Sequence, residues 1–348
     1  MITKNTNLHA AKAAKNDEFY TQLSDIEKEV KHYKDFLNGK VVYCNCDDPL
    51  SSNFTKYFIL NFHFLGLKKL ICTFYDINNI KKAYAFVYEG QDLNGDGQIT
   101  EEDIEIIRKL KAYHQPLVDD PGFVYENKDE LAKKGIYGSG DFRSQNCIEY
   151  LKMSDVVITN PPFSLFREYV CQLMEYNKKF LIIGNQNAIN YLCPMVKENK
   201  IWIGYTSPTD FEIQLNEVED EKKQYELNGK IYQKFGNICW FTNIDHTKRH
   251  EPLELYKKYS NENYPKYDNY DAIECSKVSN IPVDYDGVIG VPISFLNHYC
   301  PEQFKILGIT YSKDKNPDVE KIRMDKKHRH VGIINGKEKY PRILICRK

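Results

Sequence analysis

The chain has 348 residues, 42% hydrophobic and 28% charged, the make-up of a globular protein large enough to bury a substantial core. No run of 18 apolar residues offers a membrane span and the amino terminus lacks an apolar signal segment, so a cytoplasmic protein with no membrane role is expected. The formal charge of -1 is unevenly spread, with ten Lys or Arg against two Asp or Glu over residues 321–348, which reads either as a polyanion-binding surface or as a solvated tail.

In chain order, Val41-Val42-Tyr43-Cys44 is a short apolar run ending at Asp47-Asp48-Pro49, as a buried strand entering a loop would be. The ten cysteines include no CxxC pair, so Cys44-x-Cys46 reads as reduced, packed thiols. Ser51 or Ser52 can cap a helix running to His63, Gly66 ends it, and Leu70 to Phe74 forms a second strand with Asp76 just beyond. Strand, helix, strand at these intervals predicts a right-handed crossover and a parallel sheet.

Residues 83–90 make a poor amphipathic helix and Ile104 to Leu110 a good one. Between them, Asp92-Leu93-Asn94-Gly95-Asp96-Gly97-Gln98-Ile99-Thr100-Glu101-Glu102-Asp103 has the spacing of a 12-residue calcium loop. Asp92, Asn94, Asp96, Gln98 and Asp103 are the expected ligands, with Gly97 at the sharp turn. Asp103 replaces the usual glutamate. The competing reading is an acidic turn that caps the next helix.

The strand rhythm resumes at Asp155 to Thr159, followed by a helix over Ser164 to Tyr176 and a strand over Phe180 to Gly184. A helix over Asn187 to Glu198 and a strand over Ile201 to Ile203 come next, then polar, aromatic-rich sequence that includes the strand-like Ile238 to Thr242. A boundary is expected near residue 248, separating a catalytic domain over 1–248 from a region over 249–348. Ligands in such α/β sheets collect at the carboxyl ends of the strands.

At one such end stands Asn160-Pro161-Pro162-Phe163. The prolines fix the chain and remove two N–H donors, leaving the Pro161 carbonyl and the Asn160 amide oxygen as acceptors for the two hydrogens of an exocyclic amine. A nitrogen gaining positive charge on methylation would face two fixed dipoles, and Phe163 would stack on the base. A rigid turn with Phe163 in the core is the plainer reading. Upstream, Asp141, next to Phe142 and after Gly138-Ser139-Gly140, is placed to accept from a cofactor adenine. Asp76 is placed for ribose hydroxyls, and Asp47 and Asp48 for a methionine moiety, although each could simply cap a helix.

These segments, with Lys15-Asn16-Asp17-Glu18-Phe19-Tyr20-Thr21, Trp240-Phe241-Thr242-Asn243 and Gly287 to Pro292, resemble the EcoRI-type adenine-specific modification methylases. The resemblance implies a Rossmann-like α/β sheet dependent on S-adenosylmethionine, and a C-terminal target-recognition region that reads double-stranded DNA. It implies that Asp17, Phe19, Tyr20 and Thr21 pack at the methionine end of the cofactor, that Asp141 with Phe142 meets its adenine, and that Asp47 or Asp48 replaces a glycine-rich first motif. Cys44-Asn45-Cys46-Asp47-Asp48-Pro49 has no Gly-x-Gly turn, which is where the chain departs from an ordinary methyltransferase. Residues 92–103 are an insertion familiar in this family.

Lys326-Lys327-His328-Arg329-His330, and more weakly Lys248-Arg249-His250, are the expected phosphate contacts. A cognate restriction endonuclease and a monomeric state are further expectations. The rival functions are an RNA or protein amine methyltransferase and a non-catalytic nucleic-acid- or calcium-binding scaffold.

Overall fold

A computed structural model describes residues 20–74, 83–110, 113–208, 210–213, 224–227, 229–234, 236–311, 316–325 and 331–348. The chain divides into two compact units, the first running to Asn185 and including Thr206–Ile244, the second made of Gln186–Tyr205 and Asp245–Lys348.

Strands are, in order, β1 (Tyr20–Thr21), β2 (Val41–Cys44), β3 (Lys69–Thr73), β4 (Tyr84–Tyr88), β5 (His114–Pro116), β6 (Val156–Thr159) and β7 (Lys179–Asn185). They continue with β8 (Trp202–Ile203, in the second unit), β9 (Asp210–Ile213), β10 (Gln224–Leu227), β11 (Lys230–Lys234) and β12 (Ile238–Thr242). Helices of the first unit are α1 (Leu23–Val30), α2 (Asn53–Leu60), α3 (Glu101–Lys109), α4 (Gln145–Met153) and α5 (Phe166–Glu175).

The main sheet of this unit has the order β5-β4-β3-β2-β6-β7-β12. β2 lies parallel to both β3 and β6, and β6 is parallel to β7. The chain lays β3 on one side of β2 and later returns to lay β6 on the other, so the strand order reverses between β2 and β6, where such sheets hold ligands. Every residue of β2 and β6 is buried, which explains why both read as unbroken apolar runs rather than alternating ones. A separate antiparallel sheet, β1-β9-β11-β10, completes the described strands of the unit.

Two stretches behave differently from their local signal. Residues 84–88, within the stretch read as a poor helix, form β4 antiparallel to β3, with Tyr88 opposite Leu70. Ala85, Phe86 and Tyr88 are buried there, and pairing with β3 overrides a weak local preference. Ile238–Thr242 returns as β12 antiparallel to β7, which places the fully buried Trp240 opposite Ile183.

The β7 residue Gly184 has no room for a side chain, since a Cβ there would lie 2.4 Å from the Phe166 ring at the start of α5. Gly184→Ala is therefore expected to destabilise the fold by about 1–3 kcal/mol through overpacking. A lowered urea midpoint with an unchanged slope would show it, and an unchanged midpoint would refute it.

In the second unit, β13 (Ile273–Glu274) runs parallel to β14 (Ile289–Val291), and β15 (Phe304–Ile309) lies across β18 (Ile343–Arg347) from β14. β16 (Ile333–Ile334) and β17 (Lys337–Glu338) form a hairpin through Asn335-Gly336, both at positive φ as a tight twisted turn requires. Helix α6 (Ile189–Lys197) packs on β15 through a stripe that includes Ile189, Leu192 and Val196, and Lys197 pairs with Asp318 of α7 (Pro317–Ile322) at 2.6 Å. Residues 186–205, read as part of the catalytic domain, thus belong with the C-terminal unit. An apolar stripe does not specify which core it faces.

Candidate active site

The site grows from the ends of β2 and β6. Thr159, the last residue of β6, is fully buried and donates its hydroxyl to Asp47, which follows β2. The other Asp47 oxygen accepts from Ser52 Oγ at 2.9 Å, and Ser52 caps α2 by accepting from the Phe54 N–H at 3.0 Å. Asp47 thus joins two strand ends and a helix start. Asp48 makes a local turn, accepting from the Leu50 N–H at 3.0 Å and Ser51 Oγ at 3.0 Å.

Directly after Thr159, Pro161 is buried while Asn160, Pro162 and Phe163 are half-buried. The Pro162 carbonyl takes the Leu165 N–H at 3.0 Å and opens the turn into α5. Among the described residues, no group donates to the Pro161 carbonyl. Phe163, half-buried, packs against the core of the unit. The turn is rigid, as the plainer reading held, and it also leaves an acceptor available.

A cavity of about 290 Å³ opens beside this turn, lined by Asn45, Cys46, Asp141, Phe142, Pro162 and Leu165 among others. Asp141 is forked by Arg143, with Nε to Oδ1 at 2.9 Å and Nη2 to Oδ2 at 2.8 Å, and Arg143 also reaches Glu168 at 3.1 Å. Those two carboxylates hold the guanidinium protonated against the cost of its burial. Asp141 Oδ1 also accepts from the Arg143 backbone N–H at 2.9 Å, so Oδ2 is the oxygen that keeps a second lone pair for an incoming amine.

Phe142 is buried with its ring edge-on to Tyr169 of α5, centroids 5.0 Å apart. The Tyr169 hydroxyl donates to Asn45 Oδ1, and burial drives its pKa far above the usual phenol value. Tyr169 therefore stays neutral and fixes the Asn45 amide. The Asn45 Nδ2 is buried and has no hydrogen-bond partner among the described residues, and the same is true of Thr21 Oγ1. Buried polar atoms are almost always satisfied, so the Asn45 donor on the cavity wall, and the Thr21 hydroxyl, whose own carbonyl accepts from Asn53 Nδ2 at 2.8 Å, are groups that a polar ligand could satisfy.

The model of the adenine-specific methyltransferase EcoRI family matches residues 7–348. The chain belongs to that family. It is 40% identical to the Type II methyltransferase M.EcoRI of Escherichia coli, covering 99% of this chain and 97% of that one. It is 36% identical to M.MpnI of Mycoplasma pneumoniae, over 96% of each, and 33% identical to M.MgeORF184P of Mycoplasma genitalium, over 97% and 98%. No solved structure matches.

This adenine-specific DNA methyltransferase has the mixed α/β fold that the family resemblance implied, and the rival readings of the sequence fall away. S-adenosylmethionine is the methyl donor of the class. Among the described residues no helix is long and apolar enough to cross a membrane, and all ten cysteines are free.

Several expected site residues are placed elsewhere or not at all. Asp17, Phe19, Asp76 and the basic run 326–330 lie outside the described residues, and Tyr20 is described only as backbone in β1. Asp103 of the calcium-like loop is fully buried and works as a helix cap. Its Oδ1 accepts from the N–H of Leu93 at 2.8 Å and its Oδ2 from that of Thr100 at 2.8 Å, which holds its pKa below the usual carboxylate value. The Asp92 oxygens accept from the Gly95 and Gly97 N–H groups at 2.8 and 2.7 Å, the Asn94 amide oxygen from that of Asp96, and Asp96 Oδ1 from that of Gln98. The loop is closed by its own donors, and among the described residues no group of three His, Cys, Asp or Glu suits a metal. The expected calcium set does not fit at Asp103, where both oxygens are already committed.

Lys248-Arg249-His250, expected as a weaker phosphate contact, is engaged within the protein. Lys248 Nζ donates to the Tyr205 carbonyl at 2.6 Å, Arg249 pairs with Asp245 at 3.2 Å and lies over the Trp202 ring, and His250 sits between Asp245 and Glu302 at 2.9 and 3.1 Å. Asn45, Arg143 and Tyr169 were missed by sequence reasoning. Only Tyr169 left a signal, as part of the buried helical stripe Phe166, Tyr169, Val170, Leu173.

Proposed function

We propose that this methyltransferase modifies the exocyclic N6 of an adenine extruded from the duplex, held by Asn160, Pro161 and Phe163. The observation that supports this most is the Pro161 carbonyl, left without a donor beside Asn160 at the switch point of the sheet. The two carbonyl oxygens accept the two hydrogens of the amine, which concentrates its lone pair on nitrogen and faces the developing positive charge with fixed dipoles. The part of the Phe163 ring not packed on the core receives the base, offsetting the few kcal/mol of unstacking.

S-adenosylmethionine, when bound, supplies an electrophilic methyl group. In this reading Thr21 and Asn45 hold its polar end, and Asp141 with Phe142 receives its adenine. Asp47 and Asp48 position the backbone rather than contact the cofactor. Thr21→Val keeps the shape and deletes the orphan hydroxyl, so cofactor affinity should fall by roughly 3- to 10-fold, one hydrogen bond's worth, with an unfolding midpoint no lower than wild type. Unchanged affinity by calorimetry would remove Thr21 from the cradle.

The second unit is the target-recognition region, and the enzyme acts as a cytoplasmic monomer beside a cognate endonuclease. Digesting methylated duplex to nucleosides and weighing them tests the central point. N6-methyldeoxyadenosine that disappears in Asn160→Ala supports it, and a methyl group at another position of the base overturns it.

A further inference from the structure

The second unit carries a groove of about 720 Å³ that no part of the methyl-transfer chemistry uses. It is built from separate stretches of chain: Lys257 and Lys258, Tyr264 to Ser276 in part, and Glu338 at the end of β17 with Lys339, Tyr340 and Arg342 after it. The walls are fixed in place. The Val283 N–H donates to the Lys257 carbonyl at 2.8 Å, Tyr264 donates its hydroxyl to the Asn280 carbonyl at 2.7 Å, and the hairpin turn is tied to Asp268 through the Gly336 N–H at 2.8 Å.

Charge in the groove is divided in a way that discriminates between ligands. The guanidinium among its described lining residues, Arg342, is already spent on Glu274, with Nε and Nη2 at 2.9 and 2.8 Å from Oε1, and the buried Tyr267 hydroxyl donates to the other oxygen. That array is neutral and leaves no free fork for a small anion. Lys257, Lys258 and Lys339, by contrast, have no carboxylate partner among the described residues. Lysines act as point charges on flexible stems and tolerate a repeating row of phosphates better than they define one anion. Tyr340 is 83% exposed and adds a hydroxyl donor of the kind that contacts phosphate oxygens.

We infer that this groove grips the phosphate backbone of the DNA substrate through Lys257, Lys258 and Lys339. The inference rests on the reading of the second unit as the target-recognition region. The surface differs from both basic runs that stand out in the sequence, because its lysines are brought together from positions about eighty residues apart. Glu338 is the opposing charge in the lining, so its removal should act with the opposite sign to removal of the lysines.

Binding of the full-length enzyme to a duplex should be titrated over a range of salt with S-adenosylmethionine present. Lys257→Ala, Lys258→Ala and Lys339→Ala combined should lower the slope of log K against log salt by about 2–3, near 0.9 for each phosphate that is no longer neutralised. Affinity should drop by similar factors for all duplex sequences, arginine at the same positions should restore the slope, and Glu338→Gln should tighten binding. Cofactor affinity and the unfolding midpoint should match wild type. A triple variant with the wild-type slope, or one whose only change is weaker self-association, overturns the groove assignment. Failure of the wild-type chain itself to bind duplex DNA would instead overturn the reading of the second unit.

Discussion

Asn160→Ala is expected to lower kcat for methyl transfer by about 10²- to 10³-fold while leaving cofactor affinity nearly unchanged, the scale seen when one preorganised dipole is removed from a developing charge. Asn160 begins where β6 ends, on a backbone held by Thr159 behind it and two prolines ahead, so the substitution removes an acceptor without moving the chain. Asn160→Asp keeps an acceptor oxygen at the same reach and should retain more activity than alanine. Single-turnover rates with saturating cofactor would separate chemistry from binding. If alanine and wild type turn over alike, the amine is held by something other than this turn.

Asp47→Ala should have an effect of comparable size on stability, costing about 3 kcal/mol or more. The carboxylate is buried, and its loss leaves Thr159 and Ser52 without the acceptor they share. Methyl transfer should fall as well, because the same carboxylate fixes the strand end that carries Asn160. Thr159→Val provides the control. Combined with Asp47→Ala in a double-mutant cycle read by urea unfolding, the pair should show a coupling of roughly 1–3 kcal/mol, whereas additive losses would mean that Asp47 acts on α2 alone.

The β2, β3, β6 and β7 strands were legible because central parallel strands are buried on both faces and read as continuous apolar runs. The helix beginning at Ser52 was legible from its cap. β4 was not, because its stability comes from pairing with β3 and not from its own five residues. In the site, the tetrad and Asp141 could be read as motifs. Asn45 could not, since an asparagine in a turn carries no sign that its amide will be buried, fixed by a tyrosine 124 residues away and left with a spare donor.

The amino-acid sequence by itself determined the family, the order of the central strands along the chain and the Asn160-Pro161-Pro162-Phe163 turn, because each depends on residue type at short spacing. Tertiary structure alone decided which partners each acidic residue meets. Asp47, Asp103 and Asp141 look alike as strand-end or loop carboxylates, yet one bridges two strands, one caps a helix and one is forked by Arg143 beside the cavity. It also decided how the basic residues are placed, since Lys248-Arg249-His250 is tied down while Lys257, Lys258 and Lys339 share a groove. A side chain's freedom to bind depends on the partners that folding brings to it from distant parts of the chain, and local sequence does not record those partners.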